Sequence, residues 1–597
     1  MKTIFAGLAL GAATCALAVE PVPNADLAAL FEREFQYDIQ EHPESATELG
    51  IDGYDDKVTD LSAAAIARRK AHIKSVIADL ERFDASKLST QDRISRDMML
   101  YDLRMDDTEN ALYGDLPFGA TSGDGWMKVS SMHGPQTFLT QLSQATRFRD
   151  ARDYDNYIKR LEKVPSRLEQ TTEILKAGVR SGWVPPRGAM TRVVAMYKVF
   201  SGDATATPLW KPFERFPAEV SEGDRARLAA AGRKVLGEQV NPAFAKFQKY
   251  LADEYVPHGA KSLAASDLPA GPAYYEYRVR RMTTTNLTAA EIHEIGLKEV
   301  ARIRAEMDRV IASTKFKGTF ADFVKFINTD PQFFFKTGPD RLRAYRDIAK
   351  RADAELPKLF AELPRTPYGV RAMQPYEGDN ADHYSAPALD GSRAGFFEAN
   401  TNNLKARPSH EMEATLLHEA VPGHHLQTAR AMELGNLPKF RRSTWFVAYG
   451  EGWALYAESL GFDMGFYTDP YSHFGRLSAE MLRACRLVID TGIHSKGWGR
   501  EQSIKYLADN AGLHVDFATA EIDRYISWAG QALGYKIGEL KIKQLREKSR
   551  LALGDKFDIR RFHNAVLDDG ALPLTVLESR IDDWIAATGA GPTVAAR

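Results

Sequence analysis

Cysteine is almost missing from this sequence: among 597 residues only Cys15 and Cys485 occur. Cys15 lies in a segment that reads as removable. Lys2 gives a positive start, Ile4 to Ala18 is a short apolar stretch, and Ala16-Leu17-Ala18 closes it. That is the pattern of a secretory signal peptide cleaved after Ala18. The stretch falls short of the ~20 residues that span a bilayer, and Ala12-Ala13-Thr14 before Cys15 makes a poor lipobox. Residues 1–18 are therefore read as signal, with a periplasmic or secreted destination. Cleavage would leave Cys485 alone, which excludes an intramolecular disulfide and makes Cys485 a small buried residue.

No long apolar run follows the signal, so the mature chain is expected to be free of the membrane. Long runs of one charge are also lacking, and the net charge is −2. Neither nucleic acid nor an anionic membrane surface is an expected partner. The absence of G-x-S-x-G, a P-loop and G-x-G-x-x-G argues against serine-hydrolase, nucleotide and dinucleotide chemistry. The acidic loop Asp52 to Asp56 lacks calcium-loop spacing and reads as solvated surface.

Long amphipathic helical patterns are what the chain does have: Ala63 to Phe83, Tyr154 to Ser181, Asp224 to Tyr255, Thr288 to Ser313, Asp340 to Leu363 and Pro470 to Ile493. In the fourth, Ile292, Ile295, Val300, Ile303, Met307, Val310 and Ile311 share a face, and Thr288 with Glu291 forms a capping box. Strand signals are few; the best is Arg393 to Asn400, after a Leu389-Asp390-Gly391-Ser392 turn. The expected fold is mainly α, two helical lobes (19–270 and 271–597) with a small β element near the cleft. The boundary is placed near residues 260 to 285, where Ala260 to Ala273 is rich in Ala, Ser, Gly and Pro and poor in pattern. With 44% hydrophobic residues, a large core can take the place of disulfides.

Pro408 to Arg430 reads P-S-H-E-M-E-A-T-L-L-H-E-A-V-P-G-H-H-L-Q-T-A-R. Zinc peptidases commonly carry H-E-x-x-H, in which i and i+4 share a helix face. Here the i+4 position is Pro422, and histidines follow at 424 and 425. On a straight helix His424 would be rotated ~600° from His418, and His425 would sit ~10.5 Å along the axis. Ligand nitrogens on one zinc must lie within roughly 4.2 Å, so neither histidine serves unless the helix breaks. Pro422 clashes with the carbonyl of His418, and Gly423 permits unusual dihedrals. The pair is expected to bulge or break the helix and return one of the two histidines to His418.

Tyr449 to Glu458 reads Y-G-E-G-W-A-L-Y-A-E, with Glu451 and Glu458 on one helical face. Glu451 would complete a His₂Glu shell with an open fourth position, and Glu458 could accept a hydrogen bond from a ligand imidazole. Glu419 would take a proton from the attacking water. His293-Glu294 and His410-Glu411 lack a downstream partner histidine and read as surface pairs. Arg483, Arg486, Asp490 and His494 fall on one helical side, either lining a cleft or forming a salt-bridged face. Gln531 and Tyr535 lie in G-Q-A-L-G-Y-K-I-G; beside zinc, His and Tyr are common donors to a developing oxyanion.

H-E-A-V-P-G-H-H-L-Q followed by E-G-W-A-L-Y-A-E resembles the bacterial family called domain of unknown function 885. Collinear support comes from E-H-P-E-S-A-T-E-L-G at 41 to 50, L-T-A-A-E-I-H-E-I-G at 287 to 296, D-G-S-R-A-G-F-F at 390 to 397, D-T-G-I-H at 490 to 494 and residues 530 to 538. The resemblance implies a helical metallopeptidase-like fold akin to neurolysin and angiotensin-converting enzyme. It implies His424 as the second ligand, because the family motif fixes that position and varies the one at 425. E-G-W-A is also similar to the N-E-G-F-A segment of aminopeptidase-N-type enzymes, whose glutamate binds zinc, which favours Glu451 over Glu458. Ala529 departs from the proline usual before Gly-Gln.

The expected protein is thus a zinc hydrolase with one Zn²⁺ per chain, held by His418, His424 and Glu451. It would cleave short peptides with Glu419 as general base and with Tyr535 and His494 stabilising the oxyanion. An extended substrate would pair with the Gly395 to Asn400 strand by β-augmentation. The alternatives are a metal-dependent amidase or esterase acting on small substrates, and a non-catalytic peptide-binding protein.

Overall fold

The computed structural model describes residues 23–120, 125–373, 381–388, 391, 393–435 and 437–589. The signal-peptide expectation lies outside these residues, as does most of the Leu389 to Ser392 turn. The fold is mainly helical, with one three-stranded sheet among the described residues. The elements that build the site are α1 (Ala289–Ser313), β1 (Tyr368–Ala372), β2 (His383–Ser385), β3 (Gly395–Ala399), α2 (Met412–Glu419), α3 (His424–Glu433), α4 (Val447–Leu460), α5 (Pro470–Lys496), α6 (Val515–Ser527) and α7 (Gly534–Leu553). Among the described residues no helix is long and apolar enough to cross a membrane.

Local chemistry explains most helix boundaries. The capping box before α1 forms as read: Glu291 N donates to Thr288 Oγ1 at 3.2 Å, and Thr288 N donates to Glu291 Oε2 at 2.8 Å. The pattern from Tyr154 to Ser181 is two helices, Ala151–Leu161 and Val164–Ser181, with Pro165 at the start of the second. A proline suits a first turn and not an interior. Between Glu222 and Tyr255 the chain stays helical but widens into π turns at Leu236–Val240 and Leu251–Tyr255, just before Pro242 and Pro257. Each proline lacks an N–H and crowds the carbonyl four residues back, so the turn opens.

Apolar burial divides unevenly between the two expected lobes. Val129 to Tyr255 supply one cluster of their own. The largest cluster joins Leu61 to Met127 with the C-terminal half as far as Ile581, and it contains Leu416, Leu417, Ala420, Leu426 and Trp453 around the site. A buried guanidinium clasps the two ends of the chain. Arg441 donates to Gln91 Oε1 at 2.9 Å, Ser95 Oγ at 3.0 Å and Asp569 O at 2.6 Å. Cys485 is buried in a third cluster with α1 and α5.

Two helix contacts are made backbone to backbone. On α4, a Cβ at Gly452 would overlap Gly538 of α7, and one at Gly538 would overlap the Ala448 carbonyl. The glycines of E-G-W-A and of Y-K-I-G therefore belong to a single crossing. In the sheet, β3 is central, parallel to β1 and antiparallel to β2.

Candidate metal centre

The break between α2 and α3 forms the site. Ala420 (φ −104°, ψ −105°) and Gly423 (φ −79°, ψ −129°) leave helical geometry, and the helix resumes at His424. A Cβ on Gly423 would collide with the carbonyls of Leu417 and His418, so only glycine lets the chain fold back this tightly. Trp453 of α4 donates its indole N–H to Pro422 O at 2.8 Å and anchors the break from across the core. The imidazoles of His418 and His424 end with centroids 4.8 Å apart and planes at 88°.

Glu451, delivered by α4, completes the group. Its Oε2 lies 3.5 Å from His418 Nε2 and 3.3 Å from His424 Nε2, and the three ligand atoms fall within 4.8 Å of one another. It is the one such trio among the described residues. A tetrahedron with ~2.1 Å bonds has edges of ~3.4 Å, so the two carboxylate–imidazole separations fit a zinc shell, as does the His₂Glu donor set. Glu458 lies 2.8 Å from His418 Nδ1; in the neutral, metal-binding ring that contact keeps the proton on Nδ1 and turns the Nε2 lone pair toward Glu451 and His424. Glu419 Oε1 stands 4.0 Å from His418 Nε2.

The electrostatics match this arrangement. Burial pushes the Glu451 carboxyl up, but the adjoining His424 and His418 outweigh it and hold it well below the usual carboxylate range. For His418 burial favours the neutral ring, and hydrogen bonds to Glu451 and Glu458 reverse this, raising it to about 9 in the metal-free protein. A cation is what this carboxylate-rich pocket favours.

The second histidine of the pair points elsewhere. His425 Nδ1 meets Tyr384 Oη at 3.1 Å and its Nε2 donates to Thr366 O at 3.1 Å, so it fastens α3 to the sheet. Geometry thus selects His424. The histidines of the other two His-Glu pairs are buried, although Glu294 is exposed. His293 and His410 are 7% and 5% exposed; His293 Nδ1 pairs with Thr491 Oγ1 at 2.8 Å, and His410 packs edge-on against Phe333. Each sits on the inward side of its helix, which a dipeptide pattern does not reveal.

A cleft of about 2330 Å³ opens onto the trio and is lined by Glu419, Tyr535, Arg483 and Arg486, among others. His494 does not line it. That residue is 1% exposed, its Nδ1 accepts from Ala265 N at 3.1 Å and its Nε2 donates to Tyr525 O at 3.0 Å, leaving no nitrogen for a substrate. Asp490 is also structural, accepting from Tyr275 Oη at 2.6 Å and from Gly530 N at 3.1 Å. The expected pairing of substrate with Gly395 to Asn400 does not hold, because β3 already has a partner on each side. The edge strands are β1 and β2, and His383, Tyr384 and Ser385 of β2 line the cleft.

Sequence reasoning passed over Trp445, Glu521 and Arg524. Trp445 is 47% exposed in the cleft wall, with its ring 5.7 Å from that of His424. Only its place ahead of E-G-W-A signalled it. Glu521, Arg524, Tyr525 and Trp528 have the i, i+3, i+4, i+7 spacing of one helical face, and that pattern was readable.

The solved structure of a candidate lipoprotein from Colwellia psychrerythraea matches with a TM-score of 0.88 and 28% identity, covering 94% of this chain and 99% of that one. That of a candidate lipoprotein of unknown function from Shewanella oneidensis matches with a TM-score of 0.70 and 17% identity over 93% and 99%, a likeness of fold. A search of curated protein sequences gave no match. The family model described as bacterial protein of unknown function, DUF885, matches residues 43–581, and the chain belongs to that family.

Proposed function

We propose that this protein is an exported, zinc-dependent peptidase acting on short peptides. The observation that carries the reading is the His418–His424–Glu451 trio with Glu419 beside it, open to a deep cleft. When bound, zinc would supply Lewis-acid polarisation of the scissile carbonyl and would acidify the attacking water toward neutral pH. Glu419 takes the proton from that water and returns it to the leaving amine. Tyr535 receives hydrogen bonds from Arg524 at 3.1 Å and Gln531 at 3.4 Å, leaving its own O–H to donate to the oxyanion. The β2 edge offers backbone groups to an extended substrate, and Trp445 a flat apolar surface for a side chain.

Export rests on the N-terminal signal pattern and on the lipoprotein descriptions of the two solved structures named above. Cleavage after Ala18 gives a mature chain starting at Val19, which an intact mass checks; a chain lipidated at Cys15 would correct it.

The deciding experiment is metal content of the mature protein beside His424→Ala and Glu451→Ala, followed by a panel of peptides, esters and small amides. One zinc per chain, its loss in both variants, and turnover of peptides are expected. A wild type without stoichiometric metal after zinc supplementation would overturn the proposal.

A further inference from the structure

Beyond Glu458 the cleft wall carries more guanidinium groups than the chemistry at Glu419 uses. Arg483 and Arg486 leave α5 one turn apart, Arg524 leaves α6, and all three line the cleft. Each keeps a buried N–H without an acceptor: Arg483 Nε, Arg486 Nη1 and Arg524 Nε. Buried donors are rarely left this way.

The protein's own carboxylates do not use up these donors. Glu521 accepts from Arg486 at 2.6 Å and lies 3.5 Å from Arg524. Glu458 Oε1 lies 3.8 Å from Arg483, beyond hydrogen-bond distance, and is the oxygen that His418 engages; its Oε2 has no hydrogen-bond partner. The nearest carboxylates to the three cations are Glu521 and Glu458, and Glu411 acts on Arg483 from further off, so it is the unsatisfied N–H groups that mark the wall. Arg524 also donates to Gln531 Oε1 at 2.9 Å, and Arg486 stacks over the Tyr535 ring at 4.3 Å. These contacts hold the guanidinium planes on rigid helices, the pre-organisation that recognition of a carboxylate requires. Only the Glu458 carboxylate separates Arg483 from His418. An extended peptide advances ~3.4 Å per residue, so an anion held here belongs a residue or two past the bond being cut.

We infer that Arg483, Arg486 and Arg524 form a subsite for the C-terminal carboxylate of a short peptide, so that one or two residues are released from that end. The inference rests on the peptidase reading and gives it a direction. Water oxygen bonds to the scissile carbonyl carbon, the C–N bond breaks, and Glu419 carries the proton to the leaving amine. The released fragment keeps its carboxylate against the arginines. An acidic side chain offers the same chemistry from another source, and the ligand set below separates the two.

The test is calorimetric binding of glycyl-phenylalanine, its C-terminal amide, and glycyl-glutamic acid α-amide to the zinc-loaded Glu419→Gln protein. The free acid should bind about ten- to a hundredfold more tightly than its amide. Arg524→Gln and Arg483→Gln, each placed in the Glu419→Gln background and checked for folding by circular dichroism, should each cut that preference to less than about threefold, with Arg483→Lys keeping part of it. Equal affinity for acid and amide would overturn the subsite, and tight binding of the glutamyl amide would reassign it to acidic side chains. Turnover by the wild type separates the two readings. Peptides cut equally well with free and amidated C-termini would overturn the subsite and keep the peptidase. Acid-selective binding without any hydrolysis would keep the subsite and overturn the peptidase.

Discussion

Trp453 and Pro422, 31 residues apart, are joined by one hydrogen bond of 2.8 Å from indole N–H to backbone carbonyl. The bond ties the helix that bears Glu451 to the break that turns His424 back toward His418, so two ligand-bearing segments share one anchor. Trp453→Phe would keep an aromatic ring but strand the Pro422 carbonyl in the core, at a cost of about 1–3 kcal/mol. Urea unfolding should show that loss, and chelator competition should show weaker zinc binding. Unchanged zinc affinity would mean that the break holds without the anchor.

Glu458 bonds the outer nitrogen of His418. Glu458→Gln should leave the fold intact and weaken zinc about 10–100-fold. Competition with a fluorescent chelator measures this; wild-type affinity would show that His418 is oriented by packing alone.

His425 and His424 are neighbours in sequence with opposite tasks. His425→Ala should retain one zinc per chain and lose thermal stability, because Tyr384 and Thr366 lose their partner. His424→Ala should lose the metal. Elemental analysis of the two variants distinguishes the tasks directly.

Glu419→Gln should bind zinc normally and lower kcat by about 10²–10⁴-fold on any peptide the wild type cleaves. Full activity would remove Glu419 from the proton transfer.

Acid sensitivity should come in part from His563, which is fully buried between Tyr456 Oη and Leu359 O, each 2.8 Å away. Burial holds its pKa down to about 3 against an ordinary 6.5. The unfolded chain therefore takes up a proton that the folded chain refuses. The neutral ring's contribution is fully present above pH 6.5 and is lost as pH falls from 6.5 toward 3. In His563→Asn, stability measured by urea across that window should fall less steeply, by up to about 1.4 kcal/mol per pH unit. Parallel slopes would rule out His563 as a source.

The site was legible where chemistry is local. Pro422 and Gly423 implied a broken helix from the odd spacing alone, and the seven-residue interval between Glu451 and Glu458 implied a shared face. The capping box at Thr288 was equally plain. What stayed hidden depended on packing between distant segments. Nothing near His494 says that Ala265 and Tyr525 occupy both of its nitrogens, and nothing near Gly395 says that strands on both sides claim β3. The burial of His293 and His410 likewise comes from partners far away in sequence. Family resemblance separated His424 from His425, and geometry gives the physical reason in the tether of His425 to the sheet.

The crossing of α4 and α7 at Gly452 and Gly538 sets what can vary in this molecule. With main chain against main chain, any added side chain would wedge the helices apart and carry Glu451 with them. The centre therefore has little tolerance for mutation, while Trp445, β2 and the arginine wall hang on side chains that can be exchanged without moving that crossing. A change in what the cleft accepts, by selection or by engineering, would have to be written on its rim.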